Sequence, residues 1–511
     1  MARPSVVVVG SGAAGLSAAL GAAAGGCEVV VLERDGTVGG TTALSGGVAW
    51  LPVSDAMKAV GLDDSAEKVC RYLDGLDGGD RDRGLTAAFA GDAGRVAREI
   101  ERRTPLRWEV LAHWPDYHAE LAGALAGGRS LWPARLALAA GVEARIHRAP
   151  DQARPGGGGT EPAGAAGHDG VVFRGPVRGR ALVGGLLAGL DDAGVEVRTG
   201  ARVTGLLRQG DGVCGVEVGD ETMAGRVVLA SGGFQHDSRL AGDHLSGRAV
   251  VAMGTPGCEG DGLRWALAVG AGVRNMDEGW WMPALAVPGE ELDGAAYYRP
   301  LHSERAYPGA IMVDRTGRRF VNEAQNYGEV GRAMGRVGAP CWLVFDRSCR
   351  RRYPMGPVGP DGDDPDWMVR ADDIAALAAG IGVPVAALGE TVAVFNEAAA
   401  AGRDPAFGRG SLAYDRWIGD PSAGHPTLAA LEEGPFYALA VHLGCLGTKG
   451  GPRTDDRGRV LRADGSVIGG LYAAGNVAAS PFGTATPAGG STLGPALVFG
   501  FRAGEAAACD R

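Results

Sequence analysis

The 511 residues exceed the roughly 100 to 200 of a single domain, so two domains are expected. Hydrophobic residues at 45% and charged residues at 22% suffice to bury a core, which excludes wholesale disorder. A formal net charge of -10 without basic clustering excludes a nucleic-acid surface, because phosphate neutralisation needs grouped cations.

Residues 5–9 (Ser-Val-Val-Val-Val) read as a strand, the Ala-rich residues 13–24 as a helix, and residues 28–32 (Glu-Val-Val-Val-Leu) as a second strand. Gly10-Ser11-Gly12-Ala13-Ala14-Gly15 joins the first strand to the helix of this βαβ unit. Its glycines allow a tight turn, close backbone approach to a pyrophosphate and close helix packing. The helix start then turns N–H groups and a positive dipole end toward the phosphates. Glu33 ends the second strand, where a carboxylate accepts bonds from ribose hydroxyls, and Arg34 follows it. The next stretch, Val38-Gly39-Gly40-Thr41-Thr42-Ala43-Leu44-Ser45-Gly46-Gly47, runs backbone along a ribityl chain and flavin ring where an NAD site would continue into another βα unit. FAD is therefore the expected cofactor, touched by Gly40, Thr41, Thr42, Ser45, Gly46 and Gly47. No His lies close to this loop, so the FAD is expected to be non-covalent.

Residues 149–170 have almost no apolar bulk and read as a mobile surface loop. Residues 181–199 predict a helix and a strand, and residues 202–218 a β-meander. Residues 227–230 predict a buried strand ending at Ser231-Gly232-Gly233. Val203, Ser231 and Gly232 join the expected cofactor contacts. From about Asn275, Trp280, Trp281, Tyr297, Tyr298 and Tyr307 concentrate aromatic side chains and mark a separate substrate domain. The βαβ style resumes near Tyr437, and a strand over 470–474 leads into Gly475 and Asn476. Pro487-Ala488-Gly489-Gly490-Ser491-Thr492-Leu493-Gly494-Pro495 then opens a last helix near Leu493. A helix starting there aims its dipole at the flavin C2 carbonyl and favours the anionic reduced ring, with Thr492 and Leu493 at the contact.

The expected fold is α/β: a Rossmann-like FAD-binding domain over residues 1–274 and 436–511, with an inserted α+β substrate, or capping, domain over 275–435. Cys27, Cys70, Cys214, Cys258, Cys341, Cys349, Cys445 and Cys509 form no CxxC pair and no cluster with His at ligand spacing, so no metal site is expected. The apolar run at residues 6–9 is too short for a signal core, and no stretch approaches the ~20 apolar residues of a membrane helix. The cytoplasm is the expected address.

On these residues the chain resembles the 3-ketosteroid Δ1-dehydrogenases, within the larger fumarate reductase and succinate dehydrogenase flavoprotein superfamily. The likeness covers nearly the whole length. It rests on Gly-Gly-Thr-Thr-Ala-Leu-Ser-Gly-Gly at 39–47 and on Trp114-Pro115-Asp116-Tyr117. Further segments are Pro308-Gly309-Ala310-Ile311-Met312-Val313 with Gly317-Arg318-Arg319-Phe320-Val321-Asn322-Glu323, Leu446-Gly447-Thr448-Lys449-Gly450-Gly451, and the C-terminal glycine run. The resemblance implies desaturation of a cyclic, polycyclic or steroid-like ketone, with Tyr327 removing the α-proton, Tyr117 assisting it, and hydride passing to flavin N5. It also implies that the Gly490 N–H polarises the substrate carbonyl.

Thr486 occupies the place of the family's carbonyl-polarising tyrosine. A threonine hydroxyl reaches less far, and losing one oxyanion donor costs about 100- to 1000-fold. The positions of the fumarate-reductase His and Arg read Gly444-Cys445-Leu446-Gly447-Thr448 and Pro487, which argues against a dicarboxylate substrate. His442 stands nearby as a lone histidine. Two other readings stay open: an ene-reductase running the reverse reaction, and a flavin-bound protein without chemistry that serves as a binding partner. Electrons are expected to leave to oxygen or an external acceptor, with neither nucleic acid nor membrane as partner.

Overall fold

A computed structural model describes residues 5–79, 81–148, 178–245 and 249–510, and the loop expected over 149–170 lies outside them. Ser5–Val9 pairs in parallel with Glu28–Leu32 on one side and Arg226–Leu229 on the other. Glu196–Arg198 extends this sheet beyond Glu28–Leu32, and Val467–Ala473 then Arg459–Leu461 extend it at the opposite edge, giving six strands. Val6 and Val8 pack into one core with Leu16 and Leu497, while Val7 and Val9 pack into another with Leu229 and Ile468. Burial on both faces explains the unbroken run of valines, since neither face of a central parallel strand needs a polar residue.

The helices Ala13–Ala24 and Leu493–Cys509, from opposite ends of the chain, pack backbone to backbone on the first of these cores. A Cβ on Gly504 would stand 1.9 Å from the Ala18 carbonyl oxygen, and one on Gly500 would stand 2.4 Å from that of Ala14. The Ala- and Gly-rich composition of both helices is thus a packing requirement. Ser17 Oγ also donates to the Leu497 carbonyl at 2.7 Å across the contact.

The aromatic segment enters a second sheet. Gly279–Leu292 pairs antiparallel with Ala295–Pro300 and with Phe436–Thr448, which continues to Cys341–Phe345 and Ala310–Val313. Val250–Ala252 and Val369–Ala371 also pair with Phe436–Thr448. Because that strand is central to the second sheet, we propose that the chain crosses back to the FAD half after Thr448 rather than at 436.

The Arg-Phe-Val-Asn-Glu segment is a structural anchor of the substrate half. Glu323 is 0% exposed and meets Arg319 at 2.7 Å and Arg409 at 3.2 Å, while Arg319 also meets Asp404 at 2.8 Å. Asn322 Nδ2 donates to Asp415 at 2.9 Å. Three residues beyond Glu323, the Asn326 side chain caps the helix Tyr327–Val337 by accepting from Glu329 N at 3.1 Å. The anchored segment therefore fixes the first residue of that helix, Tyr327. Among the described residues no helix is long and apolar enough to cross a membrane.

Candidate active site

The two halves line one cavity of ≈ 1660 Å³. That exceeds the ~300 to 1,000 Å³ of a drug-sized site and suits a dinucleotide together with a substrate.

On the FAD side, the first strand delivers Gly10, Gly12, Ala13 and Ala14 to the cavity wall. Gly10 has φ +105°, and a Cβ there would lie 2.4 Å from the Ala230 carbonyl oxygen, so only glycine turns the chain here. Gly15 does not line the cavity. A Cβ at that position would sit 1.9 Å from the Gly10 carbonyl oxygen, so its part is to let the helix start close on the turn.

Glu33 is buried and lines the cavity, with Oε2 accepting from Ser11 N at 3.0 Å and from the Ser11 hydroxyl, and Oε1 accepting from Asp35 N at 3.0 Å. Burial raises its pKa, and the Ser11 and Asp35 bonds work in the opposite direction without cancelling the shift. Oε1, with one bond accepted, keeps a lone pair for a ribose hydroxyl. Glu33→Ala is accordingly expected to weaken FAD binding by about 1 to 3 kcal/mol, measured as a dissociation constant after flavin removal. Arg34 also lines the cavity, but its Nη1 is taken by Glu259 at 2.7 Å.

Gly40, Thr41, Thr42, Ser45, Gly46 and Gly47 all line the cavity. Ser11 Oγ accepts from Gly39 N at 2.9 Å, and Thr42 Oγ1 accepts from Ala13 N at 3.0 Å, so Ser11 and Thr42 fasten this loop to the phosphate turn. Thr42 thus acts on the helix start as well as on the cavity. Thr41 Oγ1 accepts from Thr255 N at 3.1 Å, which brings in a turn over residues 254–258 that no cofactor motif marks. Its Gly-Thr-Pro-Gly run was a legible turn signal. Val203, Ser231, Gly232, Gly475, Asn476, Thr492 and Leu493 complete the wall, with Asn476 Oδ1 accepting from Trp280 Nε1 at 3.1 Å.

These residues fit FAD. With no histidine in the glycine loop, purified protein is expected to be yellow and to release all its flavin on denaturation, checked by absorbance of the protein-free filtrate.

From the substrate half, Tyr327, His302, Trp417 and Tyr298 enter the same cavity, joined by Trp114 and Tyr117. The Tyr117 and Tyr327 rings meet edge to face at 5.7 Å, Tyr414 packs on Tyr117 at 4.6 Å, and His302 lies 5.8 Å from Tyr327. Burial raises the Tyr327 pKa, while Tyr117 and then Arg305 act to lower it; the net shift is upward. Tyr117 is shifted well upward, first by burial and then by its tyrosine neighbours, so it stays a phenol. Burial, aided by Arg305, pushes His302 down to about 3, leaving it neutral. His302, Arg305 and Tyr414 sit outside every motif, and only folding gathers them around Tyr327.

Gly490 lines the cavity with its N–H unpartnered among the described residues, and its carbonyl accepts from Trp50 N at 3.1 Å. Thr486 is placed differently from the expectation. It is buried outside the cavity wall, where its Oγ1 accepts from Lys449 Nζ at 3.2 Å. Lys449 also donates to the carbonyls of Thr484 at 2.6 Å and Ala485 at 2.9 Å and lies over the Trp280 ring. Thr486 is therefore part of a turn clamped by Lys449, whose pKa burial, with Arg332 next, pushes down to about 7. His442 is half-buried against Tyr298 and does not line the cavity.

This fold, with a phosphate turn, a glycine loop and a closing helix around one cavity, makes the chain an FAD-dependent oxidoreductase. It matches the FAD binding domain family over residues 5–493. It is 37% identical to the 4-oxocyclohexanecarboxylate 2-dehydrogenase of Sinomonas cyclohexanicum, covering 98% of this chain and 92% of that one. It is 36% identical to a 3-oxosteroid 1-dehydrogenase of Mycobacterium tuberculosis, covering 98% and 97%. The crystal structure of a 3-ketosteroid delta1-dehydrogenase from Sterolibacterium denitrificans, in complex with 1,4-androstadiene-3,17-dione, matches with a TM-score of 0.90 at 32% identity over 100% of both chains. The chain belongs to the FAD binding domain family and, within it, to the 3-ketosteroid Δ1-dehydrogenase-like flavoproteins that act on CH–CH groups.

Proposed function

We propose that the protein desaturates a neutral, polycyclic cyclic ketone at the bond next to its carbonyl, with Tyr327 as base. The carrying observation is that Tyr327, backed by Tyr117, shares one cavity with the Gly490 N–H and the FAD cradle. Bound FAD supplies a two-electron acceptor for the β-hydrogen, and oxygen or an external acceptor then takes the electrons. Tyr327 Oη receives the α-proton while the Gly490 N–H donates to the carbonyl oxygen, where negative charge gathers as the proton leaves. Trp114 and Trp417, tilted together at 4.5 Å, give the substrate an apolar wall.

A neutral substrate is favoured over a carboxylate by the pairing of the two arginines that the substrate half gives to the cavity wall. Arg352 is paired with Asp420 at 2.7 Å and Arg299 with Glu290 at 2.7 Å, so an incoming carboxylate would compete with pairs already formed. Anaerobic mixing with 4-androstene-3,17-dione and with 4-oxocyclohexanecarboxylate tests this. Flavin bleaching by the steroid, with a product lacking two hydrogens, is expected. Bleaching by the carboxylate alone would overturn the substrate class, and bleaching by no cyclic ketone would overturn the reaction.

A further inference from the structure

Arg305 differs from the other buried arginines of the substrate half. It lies on the short 3-10 helix Glu304–Ala306 and is 0% exposed. Arg319 and Arg409 share the carboxylates of Glu323 and Asp404, whereas Arg305 has no ion pair among the described residues. Its Nη1 donates to the carbonyls of Glu323 and Gln325, which fixes the guanidinium beside the chain leading into Tyr327. Its buried Nε and Nη2, and the buried hydroxyls of Tyr117 and Tyr414, make no hydrogen bond of good geometry, although Arg305 and Tyr414 stand close enough to interact. A buried charge without a counter-ion is costly, and so is a buried donor without an acceptor. Here both sit in the cluster that must hold Tyr327 as an anion before it takes the proton.

We infer that Arg305 is a positioning residue for that step, its buried guanidinium being the fixed counter-charge held for the phenolate of Tyr327. The inference rests on Tyr327 as the base. In the step, the α-carbon's C–H bond breaks, its proton joins Tyr327 Oη, and the electron pair passes into the substrate's enolate. Arg305 is protonated throughout and gives up nothing. The other groups around the two residues fit this division. Tyr117 and Tyr414 remain phenols, His302 is neutral, and the buried Glu304, next to Arg305 in the chain, partly offsets its field. The effect of Arg305 on Tyr327 is downward in pKa, against the larger upward push of burial.

The test follows anaerobic flavin reduction by 4-androstene-3,17-dione across pH in FAD-loaded wild type, Arg305→Met, Arg305→Gln and Arg305→Lys. In parallel, tyrosinate absorbance is titrated as the difference between each protein and its Tyr327→Phe counterpart. Below the Tyr327 pKa the rate follows the phenolate fraction. Removing this cation should raise that pKa, and a rise of about one unit would slow both neutral variants about 10-fold at fixed pH. The tyrosinate difference should move to higher pH by the same amount, and Arg305→Lys should recover most of the loss. Neutral variants with wild-type rates and an unmoved titration would overturn the inference. So would a Lys variant as slow as Met, or neutral variants that fail to fold while Lys folds, since Arg305 would then be a backbone anchor only. If Tyr327→Phe itself reduces flavin at the wild-type rate, it is the Tyr327 reading that fails.

Discussion

Tyr327→Phe is expected to retain its fold and its FAD and to reduce flavin about 100-fold or more slowly with a ketone that bleaches the wild type, the usual scale for a positioned acid–base group. The substitution removes one hydroxyl and keeps the ring that packs on Tyr117 and His302, so thermal stability and flavin content should stay near wild type. An unperturbed tyrosine titrates near ~10, and Tyr327 is shifted upward from there, so only a small phenolate fraction exists at neutral pH. Reduction should therefore climb through the neutral and mildly alkaline range without levelling. Tyr117→Phe should push the climb to higher pH, because it withdraws a neighbour that favours the phenolate. Stopped-flow absorbance of the oxidised flavin band measures both. A Tyr327→Phe protein that bleaches at the wild-type rate would remove the base from the proposed mechanism.

What the sequence made legible divides along physical lines. The βαβ unit was readable because its signals are local: an unbroken valine run, a glycine turn and an acidic strand end lie within about thirty residues. The C-terminal strand and helix were readable for the same reason. The substrate half was recognised by its aromatic residues, yet its sheet was not. Phe436–Thr448 looks like a returning FAD strand, and only its pairing with Gly279–Leu292 and Cys341–Phe345 places it in the second sheet. Pairing between segments some 150 residues apart leaves no local trace.

The same holds at the site. Glu33 and the glycine loop were visible as motifs, whereas Ser11 and Thr42, which fasten those motifs together, matter through their partners Gly39 and Ala13. Thr486 shows the converse. Aligned with a family position, it suggested a shortened oxyanion donor, but it does not line the cavity, and its hydroxyl oxygen accepts from Lys449. A side chain's direction depends on its rotamer and surroundings, which a position in an alignment does not carry.

The anchor beneath Tyr327 gives the largest stability effect. Glu323→Ala is expected to destabilise the protein by about 3 to 5 kcal/mol, the scale for breaking a buried ion pair by removing one partner. Arg319 and Arg409 would be left in the core with Asp404 as their remaining carboxylate, and Arg409, at 1% exposure, has no access to water. Burial works to raise the Glu323 pKa, but Arg319 and Arg409 outweigh it and hold the carboxyl below its ordinary range. For a carboxylate with a depressed folded pKa, the stabilisation is complete above the unfolded value near ~4.3 and is lost as pH falls through the folded value. Denaturant midpoints should therefore show the wild type losing its advantage over Glu323→Ala only in acid, below about pH 4. Replacing the set together, as Arg319→Met, Glu323→Leu, Arg409→Met and Asp404→Asn, should cost less than Glu323→Ala alone, because no uncompensated charge stays buried. Because Glu323 precedes Tyr327 by one short segment, Glu323→Ala should also slow flavin reduction at temperatures where the protein is still folded. A Glu323→Ala protein with an unchanged denaturant midpoint at neutral pH would show that this network does not hold the substrate half together.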